Sequence, residues 1–170
     1  MTNQRILILS LCIAFGALLP AQLVAEGFKF DSPIGIVMKL YHDFAFRAVI
    51  DQNNVPYGGL LSQPENVLKR YVDPTLARLI LSDQACAVAS GSICNIDYDP
   101  MYNGSDMTGM TVEIKETGRL DEIAVLLGYG VEPHSQQLIY SLVKTKTGWR
   151  IHDIRTDSWS LQKLLGGQKH

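Results

Sequence analysis

One carboxylate near the end of the chain has the surroundings that acid–base catalysis uses. Asp153 follows Trp149 and Ile151 at alternate positions of a predicted strand, so the three side chains are expected on one face. If that face is the concave side of a sheet, the carboxylate is poorly solvated, its pKa rises, and it can transfer a proton. The simpler interpretation, which we favour, pairs Asp153 with Arg155, Arg47 or a loop N–H where the strand ends.

The histidines do not form a catalytic or metal site by their spacing. His152 is adjacent to Asp153, and neighbouring strand residues point to opposite faces, so the two are not expected to act together. His42 lies beside Asp43 on a predicted helix and is expected to face elsewhere. A zinc site needs several converging ligands, and no such spacing occurs. We therefore expect no metal and no cofactor.

The segment from Asn95 to Gly109 is rich in turn-forming and acidic residues. Asp97, Asp99 and Asp106 place carboxylates at short intervals, as calcium loops do, but the repeating acid pattern and the closing Glu are missing. Capping of turns is the better interpretation. The residues that we expect to form a ligand or partner surface lie either in this loop or in the last strand: Asp99, Tyr102, Asp106, Trp149 and Asp153.

Two cysteines, Cys86 and Cys94, remain once the N-terminal leader described below is removed. In an oxidising compartment such a pair predicts a disulfide, here a staple at the end of a helix. The alternative is a redox-active pair. Thioredoxin-like sites, however, have two residues between their cysteines, a spacing that this pair lacks.

The first 25 residues have the pattern of a cleavable signal peptide. Arg5 gives a basic start, Ile6–Leu19 is an apolar run, and small residues follow at Ala21 and Ala25. The run is shorter than the roughly 20 residues that span a bilayer, so no permanent membrane anchor is expected. Cleavage after Ala25 is the preferred prediction and Ala21 the alternative site. A retained N-terminal helix is the other interpretation.

Residues 26–170 are expected to form a single domain. The formal net charge of the chain is −2 at pH 7, and loss of a leader with one Arg and no acidic residue makes it −3. That balance argues against a general nucleic-acid binder, which needs a dense basic patch. The predicted location is the periplasm or the exterior of the cell.

Polar residues followed by proline predict the starts of three helices. Ser32-Pro33 begins a helix that is expected to run to about Ile50, and Gln63-Pro64-Glu65 begins a short one. Asp73-Pro74 begins another, which should end near Ser90-Gly91. The residues expected on the buried side of this last helix are Leu76, Leu79, Ile80 and Val88.

Beyond the acidic loop the apolar period becomes that of strands. Met110–Lys115 alternates, Ile123–Tyr129 is almost wholly apolar, and Leu138–Thr145 and Trp149–Thr156 follow, with a turn predicted at Gly130–Ser135. Short links between consecutive strands predict an antiparallel meander. We therefore expect an α+β fold in which N-terminal helices pack on a curved antiparallel four-stranded sheet.

The stretch from Asp99 onward resembles a known family. Asp99-Pro100-Met101-Tyr102, Asp106, and the ending Gly148-Trp149-Arg150-Ile151-His152-Asp153-Ile154 are similar to an uncharacterised exported bacterial family, catalogued as domain of unknown function 3828. The resemblance covers roughly residues 33–156. It implies a fold of cystatin-like or nuclear-transport-factor-2-like type in an exported protein. The family has no established activity.

The sequence thus predicts an exported, non-catalytic binding protein. Its partner would be an unknown protein, such as an envelope protein that it inhibits in the manner of an immunity protein, or a small apolar ligand. The competing hypothesis is an enzyme with a concave pocket that uses Asp153 as acid or base. A protein binder should have a filled interior and an exposed patch around Asn95–Met107, whereas an enzyme should have an open cavity with Asp153 unpaired inside it.

Overall fold

The structure is a computed structural model that describes residues 31–46, 59–104, 109–130 and 132–167. Several predicted features lie outside these ranges: the signal peptide, Arg47, the expected end of the first helix at Ile50, and Asp106. None of the helices formed by the described residues is long and apolar enough to cross a membrane.

Helix α1 spans Pro33–Tyr41 and continues as a π-helical turn over His42–Phe46. The hydroxyl of Ser32 accepts a hydrogen bond from the Gly35 N–H at 3.0 Å, which confirms the predicted cap. The wider π-helical turn keeps successive apolar pairs on one face although they recur every four residues rather than every 3.6. The buried pairs are Ile36 with Val37, Leu40 with Tyr41, and Phe44 with Ala45.

Two further helices precede the sheet. After a 3₁₀ turn at Leu60–Ser62, the short helix α2 spans Glu65–Leu68 and the long helix α3 spans Pro74–Ser90. Asp73 caps α3 by accepting from the Leu76 N–H at 2.8 Å. The helix ends where Gly91 adopts φ +66°, a conformation that glycine reaches without strain. Both predicted boundaries of α3 are confirmed.

The sheet is an antiparallel meander with the strand order β1-β2-β3-β4. Its strands are Met110–Glu116, Glu122–Tyr129, Glu132–Thr145 and Gly148–Arg155. Helix α1 lies across one face and contacts β1, β2 and β4. A last short helix, α4, spans Leu161–Leu165 and packs on β4 and α3. The fold is therefore α+β with helices on a four-stranded antiparallel sheet, as predicted.

The turn between β2 and β3 is shorter than expected. Tyr129 pairs with Glu132 across a turn in which Gly130 has φ +61°, so β3 begins at Glu132 and not at Leu138. The prediction of a long turn rested on Pro133, since proline is rare inside central strands. Between the Leu127–Gln136 and Tyr129–Glu132 pairs, β2 has one residue and β3 has three, so β3 bulges at Pro133, and bulges accommodate proline.

A second register shift divides β4 into two halves. Leu142 pairs with Ile151 while Ser141 pairs with Asp153, so His152 is an extra residue in β4. The extra residue turns every later side chain to the other face. Ile151 and Ile154 are consequently both fully buried although they are three residues apart. The expectation that Trp149, Ile151 and Asp153 share one face is therefore wrong.

The outer edge of β4 is partly covered by the chain that enters α3. Val72 forms a parallel bridge with Ile151. The Asp73 N–H donates to the Ile151 carbonyl at 2.9 Å, and the Ile151 N–H donates to the Tyr71 carbonyl at 2.8 Å. This bridge fixes the start of α3 beside the bulge at His152.

The fully buried side chains of helix α3 all lie in its first half. Its buried side chains are Leu76, Ala77 and Ile80. Val88 is 85% exposed, so the expectation that it lies on the buried side is wrong. The helical spacing of Val88 is correct, but the contacts that bury α3 come from β4, α4, α2 and the 3₁₀ turn at Leu60–Ser62, and the helix extends past them.

Candidate functional site

Part of the loop that the sequence marked as a candidate surface is folded into the interior. Residues 99–104, here called the plug, close on themselves: the Asp99 N–H donates to the Gly104 carbonyl at 3.1 Å, and an Asp99 carboxylate oxygen accepts from the Met101 N–H at 2.9 Å. Met101 is 0% exposed and Tyr102 only 4%. Tyr102 therefore belongs to the core and presents no surface to a partner.

Tyrosine hydroxyls anchor the plug to the helix and the sheet. Tyr41 donates to the Met101 carbonyl at 2.6 Å, and Tyr129 donates to the Tyr102 carbonyl at 2.7 Å. The hydroxyl oxygens of Tyr41 and Tyr140 are 3.0 Å apart. The bonds to Met101 and Tyr102 satisfy backbone carbonyls that are buried with the plug. A buried carbonyl without a hydrogen-bond partner would lower the stability of the fold.

The buried tyrosines are hydrogen-bonding anchors rather than proton-transfer groups. Burial is the main cause that raises the pKa of Tyr41, Tyr102 and Tyr140 above the ordinary value of 10.0. Neighbouring Asp99 adds to each of these increases because a nearby negative charge disfavours a phenolate. All three hydroxyls therefore keep their protons near neutral pH.

Asp99 is the titratable group at the base of the plug. Burial raises the pKa of its carboxyl from 3.8 to about 6, although the bond from the Met101 N–H opposes the shift. The carboxyl lies against the backbone of Gly59: a Cβ atom at that position would be 1.7 Å from Asp99 Oδ2. A side chain at position 59 would therefore displace the Asp99 carboxyl, which closes the plug against the segment that precedes α2.

Asp153 caps the last helix instead of lining a cavity. Its Oδ1 accepts from the N–H groups of Gln162 and Ile154, each at 3.0 Å, and its Oδ2 accepts from the Ser160 hydroxyl at 2.7 Å. Trp149, the other predicted site residue on β4, packs against the core on the face that the bulge separates from Asp153. The described members of the predicted candidate surface are therefore divided among three places in the fold.

Sequence reasoning missed an Asp–His pair beside the bulge. The Asp73 Oδ2 lies 2.8 Å from His152 Nδ1, while its Oδ1 caps α3. The Gln162 amide donates to the His152 carbonyl at 2.6 Å and lies 3.2 Å from the imidazole nitrogens. A carboxylate on Nδ1 orients an imidazole as a positioned base does, and the His152 side chain is 41% exposed. A helix cap uses one carboxylate oxygen, so the free oxygen of Asp73 was the available signal.

A second charged cluster lies on the π-helical turn. Asp43 accepts from Lys39 and from the Tyr71 hydroxyl, and its Oδ1 lies 2.9 Å from His42 Nδ1. His42 thus contacts Asp43, contrary to expectation, because the sequence did not indicate the π-helical turn. Burial alone would raise the pKa of Asp43, but the bonds from Lys39, Tyr71 and His42 outweigh it and lower the pKa to about 2.

Neither cluster forms a metal site. Among the described residues, no group of three or more His, Cys, Asp or Glu side chains could hold a metal ion. The Asp43 cluster joins α1 to the chain before α3, and the Asp73–His152 pair joins α3 to β4. Their visible effect is to tie the helices to each other and to the sheet.

The end of α3 and the residues that follow it hold two of the three large apolar side chains that are exposed among the described residues. Residues 85–94, here called the tip, are closed by the Cys86–Cys94 disulfide, which confirms the predicted bond. Val88 is 85% exposed and Ile93 is 67% exposed. The chain leaving the tip is held by Asp83, whose Oδ1 accepts from the N–H and side-chain amide of Asn95 at 3.1 and 2.7 Å.

No family model matches this chain, and no curated protein matches it either. A solved structure that is similar is that of a phospholipid-binding protein from Ralstonia solanacearum in complex with a phospholipid. The two chains are 18% identical, the alignment covers 80% of this chain and 72% of that chain, and the TM-score is 0.35. The resemblance to the exported family of unknown function stays a prediction.

Proposed function

We propose that this protein is an exported, non-catalytic binding protein that recognises a protein partner through the tip. The observation that carries the proposal is the exposure of Val88 and Ile93 on a covalently closed element. When a partner covers an apolar side chain that is exposed to water, the free energy of the complex falls by about 25 cal/mol per Å² of apolar area that is buried. The predicted leader and the disulfide support a location outside the cytoplasm.

The chemistry of the tip fits a protein surface. Residues 84–94 contain no charged side chain, and the cores of protein interfaces are depleted in charge. The disulfide, the left-handed Gly91 and the Asp83–Asn95 bonds fix the shape of the tip before it meets a partner. A fixed shape lowers the conformational entropy that binding must overcome.

The proposal is tested by placing a photo-crosslinking amino acid in the tip of the full chain, in the cells that produce it. Val88 and Ile93 are the sites, and Leu120 in the turn between β1 and β2, which is 86% exposed, is the matched control. We expect one protein to be crosslinked from 88 and 93 and not from 120. Equal crosslinking from 120 would mean that exposure alone produces the adduct.

The affinity of tip variants for the purified partner then shows whether the side chains of the tip are responsible for binding. The double variant Val88→Ser with Ile93→Ser should weaken binding by at least roughly tenfold, and Leu120→Ser should leave it unchanged. Unchanged binding by the double variant would sink the proposal. An adduct with the mass of a lipid at 88 and 93 would put a small apolar ligand in place of the protein partner.

A further inference from the structure

A pocket of about 180 Å³ lies where β4 leads into α4. Six of the seven residues that line it have hydroxyl or charged side chains: Arg155, Thr156, Asp157, Ser158, Ser160 and Lys163. The seventh, Trp159, is half-buried and carries the one aromatic ring of the lining. The volume is below the range of roughly 300–1,000 Å³ that is typical of sites for drug-sized ligands, so the pocket suits a single small ring.

The walls of the pocket are fixed without a ligand. The Thr156 N–H donates to the Trp159 carbonyl at 2.9 Å, and the Thr156 hydroxyl accepts from the Ser158 and Trp159 N–H groups at 3.1 and 3.3 Å. The Trp159 indole N–H donates to the Asn103 side-chain oxygen at 2.9 Å, and the Tyr98 ring meets it edge-on. Trp159 is therefore held in place from the plug and from its own turn.

The charges around the pocket cancel. Arg155 and Lys163 are cationic, Asp157 is anionic, and Glu122 accepts from Arg155 at 2.6 Å behind the wall. An anion would gain little attraction from this balanced arrangement. An apolar ligand would remove hydrogen-bonding groups from water without replacing their bonds. A neutral ligand with many hydroxyl groups meets both conditions.

We propose that this pocket binds a neutral carbohydrate, with one sugar ring against Trp159. Sugar hydroxyls both donate and accept, so they can bond to hydroxyl, carboxylate and cationic side chains alike. The C–H face of a sugar ring is weakly positive and packs on the negative face of an indole ring. The site is distinct from the tip, so its occupant is additional to the protein partner proposed above.

The test is an NMR titration of the folded protein with glucose, galactose, mannose and N-acetylglucosamine, and separately with inorganic phosphate. At least one saccharide should shift the amide signals of residues 155–163 and the Trp159 indole signal in a saturable way, and phosphate should not. Trp159→Ala should weaken binding by roughly tenfold and Ser158→Ala by about threefold. Trp149→Phe, which lies outside the pocket, should leave the saccharide affinity unchanged.

Three results would overturn the proposal: no saturable shift with any saccharide, the same shifts with phosphate, or saccharide affinity that survives both pocket substitutions. If Trp159→Ala does not fold, Ser158→Ala and Asp157→Asn decide the matter, because both positions are exposed. Val88→Ser should bind saccharide as the parent does, so the failure of one proposal is distinguishable from failure of the other.

Discussion

The tip and the plug are close in sequence and opposite in character. The tip is apolar and uncharged, yet Val88 and Ile93 are exposed to water. The plug contains the polar residues Asp99 and Asn103, yet it enters the interior, where Met101 and Tyr102 are buried. Packing and tyrosine hydrogen bonds hold the plug, while a covalent bond holds the tip. Composition does not decide which loop enters the core, because burial depends on whether the rest of the fold can satisfy the backbone.

Truncating one apolar side chain in each loop gives the largest expected difference. Met101→Ala should lower the free energy of unfolding by about 2–5 kcal/mol, because it leaves a cavity in a packed interior. Val88→Ala should change it by no more than about 0.5 kcal/mol, since the side chain is in water. Urea denaturation of both variants measures the contrast. Similar losses in the two would mean that the tip is packed in solution.

The charge in the plug gives a pH-dependent effect. Since the pKa of Asp99 is raised from 3.8 to about 6, the folded state holds this proton more tightly than the unfolded state does. Its ionisation therefore costs stability above about pH 6, and the cost disappears as the pH falls below about 4. Asp99→Asn should stabilise the protein by up to about 3 kcal/mol near pH 7.5 and by almost nothing near pH 3.5.

Denaturation curves at the two pH values measure this difference. A gain of the same size at both would assign the effect of Asp99→Asn to packing and not to charge. The bond from the Met101 N–H is retained in the variant if the asparagine oxygen takes the place of Oδ1, which makes the comparison a test of ionisation.

Removing the covalent bond should have the smallest effect of the three on the free energy of unfolding and should loosen the tip most. Replacing Cys86 and Cys94 together by serine opens a loop with a sequence separation of 8. The free energy of unfolding should fall by about 2 kcal/mol. Amide hydrogen exchange should accelerate in residues 85–94 and stay slow in the plug. Faster exchange in the plug as well would show that the two loops are coupled.

Local features of the fold were predictable from the sequence. Ser32-Pro33 and Asp73-Pro74 begin helices because cap and proline act within one turn, and Gly91 ends α3 for the same reason. The meander followed from strands joined by short links. The disulfide followed from two cysteines in a chain that was predicted to be exported.

The site could not be predicted in the same way, since each error involves a distant contact or one extra residue. His152 as a bulge moves Asp153 to the other face, and alternation alone gives no sign of it. The Asp73–His152 pair joins residues 79 positions apart. Burial of Tyr102 depends on Tyr129, which supplies the hydrogen bond that its carbonyl needs.

The order of the strands has a consequence for synthesis on the ribosome. Each strand pairs with its neighbour in sequence, so the hairpins close locally, on a timescale of about 1–10 μs. Helix α3 is different, because its start is held by Val72 on Ile151 in the last strand. The N-terminal half therefore leaves the ribosome first, but its helices cannot complete their packing until β4 has been synthesised. During that wait its apolar helix faces lack their sheet, and a chaperone that covers them would protect the nascent chain.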